Sequence, residues 1–207
     1  MTRFESLLKP IEAWFLSKGW TPQDFQQQAW KAHLEGASGL IQVPTGSGKT
    51  YAAVMAPIAR MLADNTASSG VKLLYITPLR ALSRDLALAL EEPIEAMGWP
   101  LRVGIRNGDT STGDRNKQVK TPPQILITTP ESLCVLLAGR HAERLFSQLD
   151  TVILDEWHEL IGSKRGTQTE LALSWLRMAN PALQTWAISA TIGNLDAAAR
   201  HALGAGG

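Results

Sequence analysis

The sequence predicts an α/β domain in which an open, mostly parallel sheet carries helices on both faces. Short apolar runs rich in β-branched residues alternate along the chain with amphipathic stretches, which is typical of strand–helix units. Most of these runs are apolar on both faces, as in parallel strands that are covered on both sides. The chain has 207 residues, of which 44% are apolar and 19% charged, so it can form one core. We therefore expect residues 1–207 to be a single domain.

The predicted elements follow in chain order. Two helical stretches, residues 4–17 and 23–35, form a lead-in over about residues 1–36. The six runs predicted as strands are residues 39–43, 72–76, 102–105, 124–127, 151–154 and 183–188. The helices predicted between them are residues 50–62, 79–97, 130–138 and 167–178. The most polar segment, residues 109–121, is predicted to be a surface excursion, and residues 204–207 are predicted to fray.

Composition excludes several classes of protein. The net charge is +1, so nucleic acid could be held only by a local basic patch. The single cysteine, Cys134, excludes a disulfide framework and a cysteine-based zinc site, and it suits a reducing cytoplasm. No signal peptide and no apolar run of about 20 residues is present, so we expect no membrane partner.

The strongest motif is VPTGSGKT at residues 43–50, which follows a predicted strand and opens a predicted helix. Gly46 and Gly48 let the backbone curl so that its N–H groups point at phosphate oxygens. Lys49 can reach the β- and γ-phosphates of ATP, and the Thr50 hydroxyl can bind Mg²⁺. The predicted nucleotide contacts are therefore Thr45, Gly46, Ser47, Gly48, Lys49 and Thr50.

This phosphate-binding loop departs from the usual pattern at one position, where Val43 replaces a glycine. The alternative interpretation is a Gly/Ser turn that happens to carry a lysine. We expect the Lys49 side chain to face solvent rather than the core.

The second motif, ILDEWH at residues 153–158, places two carboxylates after a predicted strand. Asp155 suits a Mg²⁺ ligand, and Glu156 suits the base that orients and deprotonates the attacking water. Lys49, Asp155 and Glu156 are thus the predicted catalytic residues. The alternative is a solvated helix start, where acidic residues favour the helix dipole. His158 taken alone is more often structural than catalytic.

Together these motifs resemble the first motor domain of a superfamily 2 helicase of the Asp-Glu-x-His type, within it the Lhr family and its ligase-associated members. The resemblance extends from Trp20 to Asn194. It implies a RecA-like P-loop NTPase fold with ATP and Mg²⁺ as cofactors. It also implies an ATP-dependent helicase that moves 3′→5′ on single-stranded DNA in DNA repair, with a DNA ligase system as a further partner.

The resemblance assigns Gln26 to the glutamine that selects adenine, because its amide offers one acceptor and two donors. The alternative is that Gln26 lies on the solvent-exposed face of an amphipathic helix, since three adjacent glutamines leave the register open. Ser189 and Thr191 match a motif whose hydroxyls bond to the 155–158 turn, so that with His158 they would relay the state of the nucleotide. A plain strand-end turn is the alternative there.

Two further motifs, at residues 77–82 and 128–133, resemble the family's nucleic-acid contacts, and residues 106–110 also match the family on the same track. Both follow apolar runs and offer hydroxyls, helix-start N–H groups or an arginine, which hold phosphates without reading sequence. The residues are Pro78, Arg80, Arg106, Thr128, Thr129 and Pro130. Simple N-capping is the alternative for the Thr-Pro steps, and both can hold at once. The basic loop at residues 162–166 is either another such contact or a solvated loop.

The motors of this superfamily hold ATP between two motor domains, and no second phosphate-binding core follows in this chain. We therefore expect a second RecA-like domain to belong to the same full-length protein and this chain alone to bind Mg·ATP but hydrolyse it poorly. We expect the single strand bound by the protein to be DNA rather than RNA. The alternatives left open are an RNA helicase of the same superfamily, another P-loop ATPase such as a small-molecule kinase, and a nucleotide-dependent scaffold.

Overall fold

The computed structural model describes residues 3–64 and 70–189, and its strands form one sheet. The six strands are β1 Gly39–Gln42, β2 Leu73–Ile76, β3 Val103–Arg106, β4 Ile125–Thr128, β5 Thr151–Leu154 and β6 Gln184–Ser189. Their order across the sheet is β1-β6-β5-β2-β4-β3, and every pairing between them is parallel. The predicted open parallel sheet is confirmed, with all described pairs parallel rather than most. The fraying predicted for residues 204–207 lies outside the described residues.

Nine helices surround this sheet within the described ranges. They are α1 Arg3–Ser17, α2 Asp24–Leu34, α3 Lys49–Ala63, α4 Leu82–Met97, α5 Thr112–Lys120, α6 Pro130–Leu137, α7 Ala142–Phe146, α8 Trp157–Leu160 and α9 Lys164–Ala179. Over the same two ranges, no helix is both long enough and apolar enough to cross a bilayer.

Side chains alternate between the two faces of the sheet, which creates two apolar cores. Tyr75 and Ile153 belong to the core that contains residues of α1 to α4. Leu74 and Val152 belong to the opposite core, with residues of α6 to α9. Because successive strand residues point to opposite faces, apolar residues at every position are needed to fill both layers. This explains why the strands are apolar at most positions on both faces.

The lead-in helices are integral to the first core. Trp14 and Trp30 are buried, and the Trp14 ring lies 5.0 Å from the Tyr51 ring of α3. The Trp30 indole N–H donates to the Tyr51 carbonyl at 3.0 Å. The helix that follows the phosphate-binding loop is therefore anchored by residues that precede the first strand.

Residues 109–121 lie at the surface as predicted, and none of them is buried, but most of the segment forms α5, a helix that was not predicted. Ser111 caps the helix, its hydroxyl accepting from the Asp114 N–H at 3.1 Å. None of the α5 residues is buried, so the helix has no apolar stripe that periodicity could detect. Its Gln118 amide donates to the Ile105 carbonyl on edge strand β3 at 2.8 Å. The short helices α7 and α8 were likewise not predicted.

All six strands run the same way, so their carboxyl ends meet along one edge of the sheet. The loop after β1, the Asp-Glu pair after β5 and Ser189 at the end of β6 all lie on this edge. Ligands of open parallel sheets bind at this edge, so the topology places the predicted site residues together.

Candidate nucleotide-binding and coupling site

The phosphate-binding loop closes through two glycines with left-handed backbones. Gly46 has φ 79° and Gly48 has φ 85°, conformations that other residues rarely adopt. The Ser47 hydroxyl donates to the Pro44 carbonyl at 2.7 Å and so tightens the turn. A Cβ built on Gly46 would meet no atom within 4 Å, so the turn opens to free space. Thr45 is exposed beside it, and the loop can present its N–H groups to phosphates.

Lys49 does not face solvent, and that prediction is wrong. The residue is only 8% exposed, because it is the first residue of α3 and points towards the end of β5. Its Nζ lies 3.5 Å from Glu156 Oε1 and has no hydrogen-bond partner. A buried ammonium without a hydrogen bond is unfavourable unless an anion completes its shell. Lys49 is therefore arranged to receive a phosphate oxygen.

Asp155 lies beside this ammonium and is mostly buried. Burial, and then the charge of Glu156, raise the pKa of its carboxyl from 3.8 to about 6. The Glu156 N–H, Lys49 and the Tyr75 hydroxyl act in the opposite direction. A bound cation would remove much of this cost, since it stabilises the carboxylate form. The environment of Asp155 thus fits a metal ligand.

Tyr75 is a residue of this site that sequence reasoning missed. It lies at the third position of β2, fully buried beneath the loop. Burial raises the pKa of its phenol well above the ordinary value, and the Asp155 carboxylate adds to the effect while Thr50 opposes it. The only signal in the sequence is a tyrosine in an otherwise aliphatic strand.

Glu156 has a strained backbone. Its φ of 43° and ψ of 46° make it the one non-glycine residue with positive φ in the part of the chain that the structure describes. Such a conformation costs about 1–3 kcal/mol and is concentrated at functional sites. The Asp155 carboxylate accepts from the Glu156 N–H at 3.0 Å. The turn aims Glu156 Oε1 at Lys49 and places Oε2 3.4 Å from His158 Nδ1.

The predicted coupling contact between His158 and Ser189 is present in the geometry. His158 Nδ1 lies 3.0 Å from the Ser189 hydroxyl, across the adjacent strands β5 and β6. The contact joins the Glu156 turn to the end of β6. Thr191, the other predicted coupling residue, lies outside the described residues.

Gln26 is buried on α2 and hydrogen-bonded to the phosphate-binding loop. Its amide oxygen accepts from the Gln23 N–H at 2.9 Å, and its amide nitrogen donates to the Gly48 carbonyl at 3.2 Å. One N–H and one lone pair remain, which is what a donor–acceptor edge of a base requires. A side chain on Gly48 would collide with this amide at 2.7 Å, so the glycine also makes room for Gln26.

The residues fit a Mg²⁺ ion only together with phosphates. Across residues 3–64 and 70–189 no cluster of three His, Cys, Asp or Glu side chains could hold a metal by itself. Mg²⁺ is commonly held by one or two protein oxygens, several waters and substrate phosphates. Thr50 and Asp155 are the two protein oxygens that the loop and β5 bring to this edge.

Most of the predicted nucleic-acid contacts are buried. The Thr128 hydroxyl donates to the Arg106 carbonyl at 2.7 Å, and the Thr129 hydroxyl caps α6 by accepting from the Ser132 N–H at 3.4 Å. Both threonines are fully buried, and Pro78 and Pro130 are also buried. Both threonine hydroxyls are therefore engaged in hydrogen bonds within the protein. The groups of these two residues and Pro130 that could still meet a phosphate are backbone groups at the start of α6.

The two arginines of this predicted set differ from each other. Arg80 is exposed, with Nη1 3.8 Å from Asp109 Oδ1. Arg106 is half-buried, and burial followed by the charge of Arg115 lowers the pKa of its guanidinium. Arg80 is thus the one member of the six whose side chain is exposed.

We expect Asp155→Asn to stabilise the nucleotide-free protein. The folded-state pKa of about 6 lies above the ordinary value of 3.8, so folding is opposed once the carboxyl ionises. Near pH 7.5 the substitution should raise the free energy of unfolding by about 1–3 kcal/mol, and near pH 5 by about half as much. Urea unfolding without Mg²⁺ measures both values. Asp150→Asn, at an exposed carboxylate, is the control, and an equal gain there would contradict the interpretation.

These features define a class of protein, a P-loop nucleotide-binding motor domain built on a parallel sheet. The sequence model of the DEAD/DEAH box helicases matches residues 23–198, and the chain belongs to that family. It is 38% identical over 215 residues to the ATP-dependent helicase Lhr-Core protein 2 of Thermococcus barophilus, covering 97% of this chain. It is also 38% identical over 217 residues to Lhr-Core of Methanocaldococcus jannaschii, covering 98% of this chain. The chain spans 25% of each of these relatives.

A solved structure shares the fold. The helicase Lhr of Mycobacterium smegmatis, bound to single-stranded DNA and AMP-PNP, aligns with a TM-score of 0.83 and 35% identity. The alignment covers 93% of this chain and 26% of that one. The fold is therefore that of a RecA-like helicase domain, as the resemblance implied.

Proposed function

We propose that this chain is the ATP-binding motor domain of an ATP-dependent helicase. The observation that carries the proposal is Lys49, a buried ammonium without a hydrogen-bond partner that lies 3.5 Å from Glu156 at the mouth of an open phosphate-binding loop. This arrangement suits the triphosphate of ATP, with the loop and Lys49 holding phosphate oxygens. Glu156 would take the proton from the attacking water. Thr50 and Asp155 would hold Mg²⁺, which would supply positive charge beside the phosphates.

The proposed substrate strand is single-stranded DNA rather than RNA, with movement 3′→5′ in DNA repair. The Lhr structure of Mycobacterium smegmatis supports DNA as the strand, since it is bound to single-stranded DNA. The chain spans only a quarter of its Lhr-Core relatives, which supports a second RecA-like domain in the same full-length protein as its partner. A DNA ligase system as a further partner and a cytoplasmic location belong to the same proposal.

Thermal unfolding with nucleotides tests the choice of ATP. A ligand that binds only the folded state adds about 2.7 kcal/mol at a hundred times its Kd, so Mg·ATP should raise the Tm. Mg·GTP should raise it less, because the free N–H and lone pair of the Gln26 amide match adenine. In Gln26→Ala the difference between the two nucleotides should shrink.

The control is Gln28→Ala, because Gln28 is an exposed glutamine on the same helix. This variant should keep the full preference for ATP. Equal Tm shifts with ATP and GTP in the unmodified chain would remove the role assigned to Gln26. No shift with either nucleotide would remove the proposed function itself.

A further inference from the structure

The arginine of the basic loop points into the protein. Arg165 Nε donates to Glu131 Oε1 at 2.5 Å, and Nη2 donates to Glu131 Oε2 at 3.3 Å. Nη2 also donates to the Pro78 carbonyl at 2.5 Å. One planar guanidinium thus holds a carboxylate in two-pronged fashion and a backbone carbonyl at the same time, a geometry that lysine cannot reproduce.

The two partners of Arg165 belong to different turns of the site. Pro78 follows β2 and leads to the exposed Arg80, while Glu131 lies in the first turn of α6, directly after Thr129 and Pro130. Both turns contain residues proposed above to meet nucleic acid. They lie 87 and 34 residues from Arg165 along the chain. Arg165 is thus a direct link between these turns.

The backbone that carries Arg165 is fixed against the Glu156 turn. The Ser163 hydroxyl donates to the Leu160 carbonyl at 2.7 Å and accepts from the Gly166 N–H at 3.0 Å. A Cβ on Gly166 would lie 2.0 Å from the Leu160 carbonyl oxygen, so only glycine permits this approach. Leu160 ends α8, whose N-cap is Glu156. One helical turn, α8, thus connects Glu156 to the Leu160 carbonyl against which the start of α9 is held.

The charge state of the pair supports the link. Burial raises the pKa of Glu131, but the bond from Arg165 and further hydrogen bonds outweigh it and leave this pKa below its ordinary value. The ion pair therefore persists at neutral pH. It is partly exposed, with side-chain exposures of 37% and 44%, so its role is better sought in geometry than in stability.

We propose that Arg165 is a positioning residue that sets the Pro78–Arg80 turn and the start of α6 relative to each other and links both to the Glu156 turn. Movement of the Glu156 turn on nucleotide binding would then shift the phosphate contacts of both turns. This inference rests on the proposed function, and it adds a second connection beside the His158–Ser189 contact. The competing view of the basic loop is that it touches nucleic-acid phosphates directly.

The two views predict opposite signs for one substitution. Glu131→Gln removes a negative charge near a polyanion, so simple electrostatics predicts tighter binding of single-stranded DNA. If Glu131 acts by holding Arg165, the same change loosens both turns and weakens binding. Lys164 is the matched neighbour, because it is exposed at the start of α9 and its side chain makes no hydrogen bond or ion pair within residues 3–64 and 70–189.

The experiment is a fluorescence-anisotropy titration of the 207-residue chain with labelled oligothymidylate, with and without Mg·AMP-PNP. Arg165→Ala and Glu131→Gln should each weaken DNA binding about tenfold, the effect of losing a charge-assisted hydrogen bond. Arg165→Lys should fall between the unmodified chain and Arg165→Ala. Lys164→Ala should stay within about twofold. Affinity for Mg·AMP-PNP alone should change by less than about twofold in all four variants, and its effect on DNA affinity should vanish in Arg165→Ala.

Two results would overturn the inference. One is unchanged or tighter DNA binding by Glu131→Gln, and the other is an equal loss in Lys164→Ala and Arg165→Ala. Circular dichroism melts identify the temperature at which each variant is folded, and all titrations are made below it. If the unmodified chain bound neither DNA nor nucleotide, the proposed function would fail and this inference with it, whereas the first two results leave the proposed function standing.

Discussion

Glu156→Gln is expected to lower ATP turnover by about 100- to 10,000-fold, the usual contribution of a general base. The amide keeps the shape of the side chain but cannot accept the proton of the attacking water. The affinity for Mg·ATP should stay near that of the unmodified protein, because Lys49, Thr50 and the loop remain. Asp155→Asn should show the opposite pattern, with weaker Mg²⁺-dependent binding, since the charge that faces the metal is lost.

The measurement requires a protein that joins this chain to a second motor domain, with steady-state ATPase followed at saturating ATP and single-stranded DNA. Glu159→Gln is the matched control, because Glu159 is an exposed glutamate three residues further on in α8. It should turn over normally. Normal turnover in Glu156→Gln together with normal Mg·ATP binding in Asp155→Asn would show that these two residues are not the catalytic pair.

His33 is expected to lower the free energy of unfolding as the pH falls below about 6.5, a loss that the protonation of Asp155 partly offsets in the same interval. His33 lies on α2 with 2% exposure, and its two ring nitrogens have no hydrogen-bond partner. Burial, and then the charge of Arg60, lower the pKa of this imidazole from 6.5 to about 3. Between pH 6.5 and about pH 3, the His33 imidazole is therefore protonated in the unfolded chain but stays neutral in the folded one.

The sign follows from this difference. The contribution of the neutral His33 side chain to the free energy of unfolding is complete above pH 6.5 and is lost as the pH falls towards 3. The full difference corresponds to about 4–5 kcal/mol, or up to about 1.4 kcal/mol per pH unit. His33→Leu removes this titrating group and should abolish its share of the pH dependence. Near pH 7 the variant should be as stable as the unmodified protein or more so, since two unpaired polar atoms leave the core.

Urea unfolding between about pH 7 and pH 5 measures this effect before most carboxylates titrate. His33→Leu should lose about 2 kcal/mol less than the unmodified chain over this interval. His141→Gln is the control, because His141 lies half-buried before α7 and away from Arg60. Parallel pH profiles for His33→Leu and the unmodified chain would contradict the assignment.

The sequence by itself determined the sheet and the location of the site. Runs such as residues 151–154 are predicted as strands covered on both faces, because three consecutive apolar residues after a threonine suit a segment buried between two helical layers. A glycine-rich loop between a strand and a helix, and acidic residues after another strand, then fall on the same edge of a parallel sheet. Local sequence sufficed because strand periodicity and loop chemistry are local properties.

Only the tertiary structure decided where the side chains point. Lys49 is buried and Arg165 turns inward because their partners, Glu156 and Glu131, are supplied by other elements of the chain. Thr128 is committed to the Arg106 carbonyl because β3 and β4 lie side by side. Helix α5 was not predicted because it has no apolar face. Tyr75 was not predicted as a site residue because its environment depends on Asp155, which follows the adjacent strand β5. Each of these outcomes rests on contacts between residues far apart in sequence, and such contacts leave no periodic trace in a single chain.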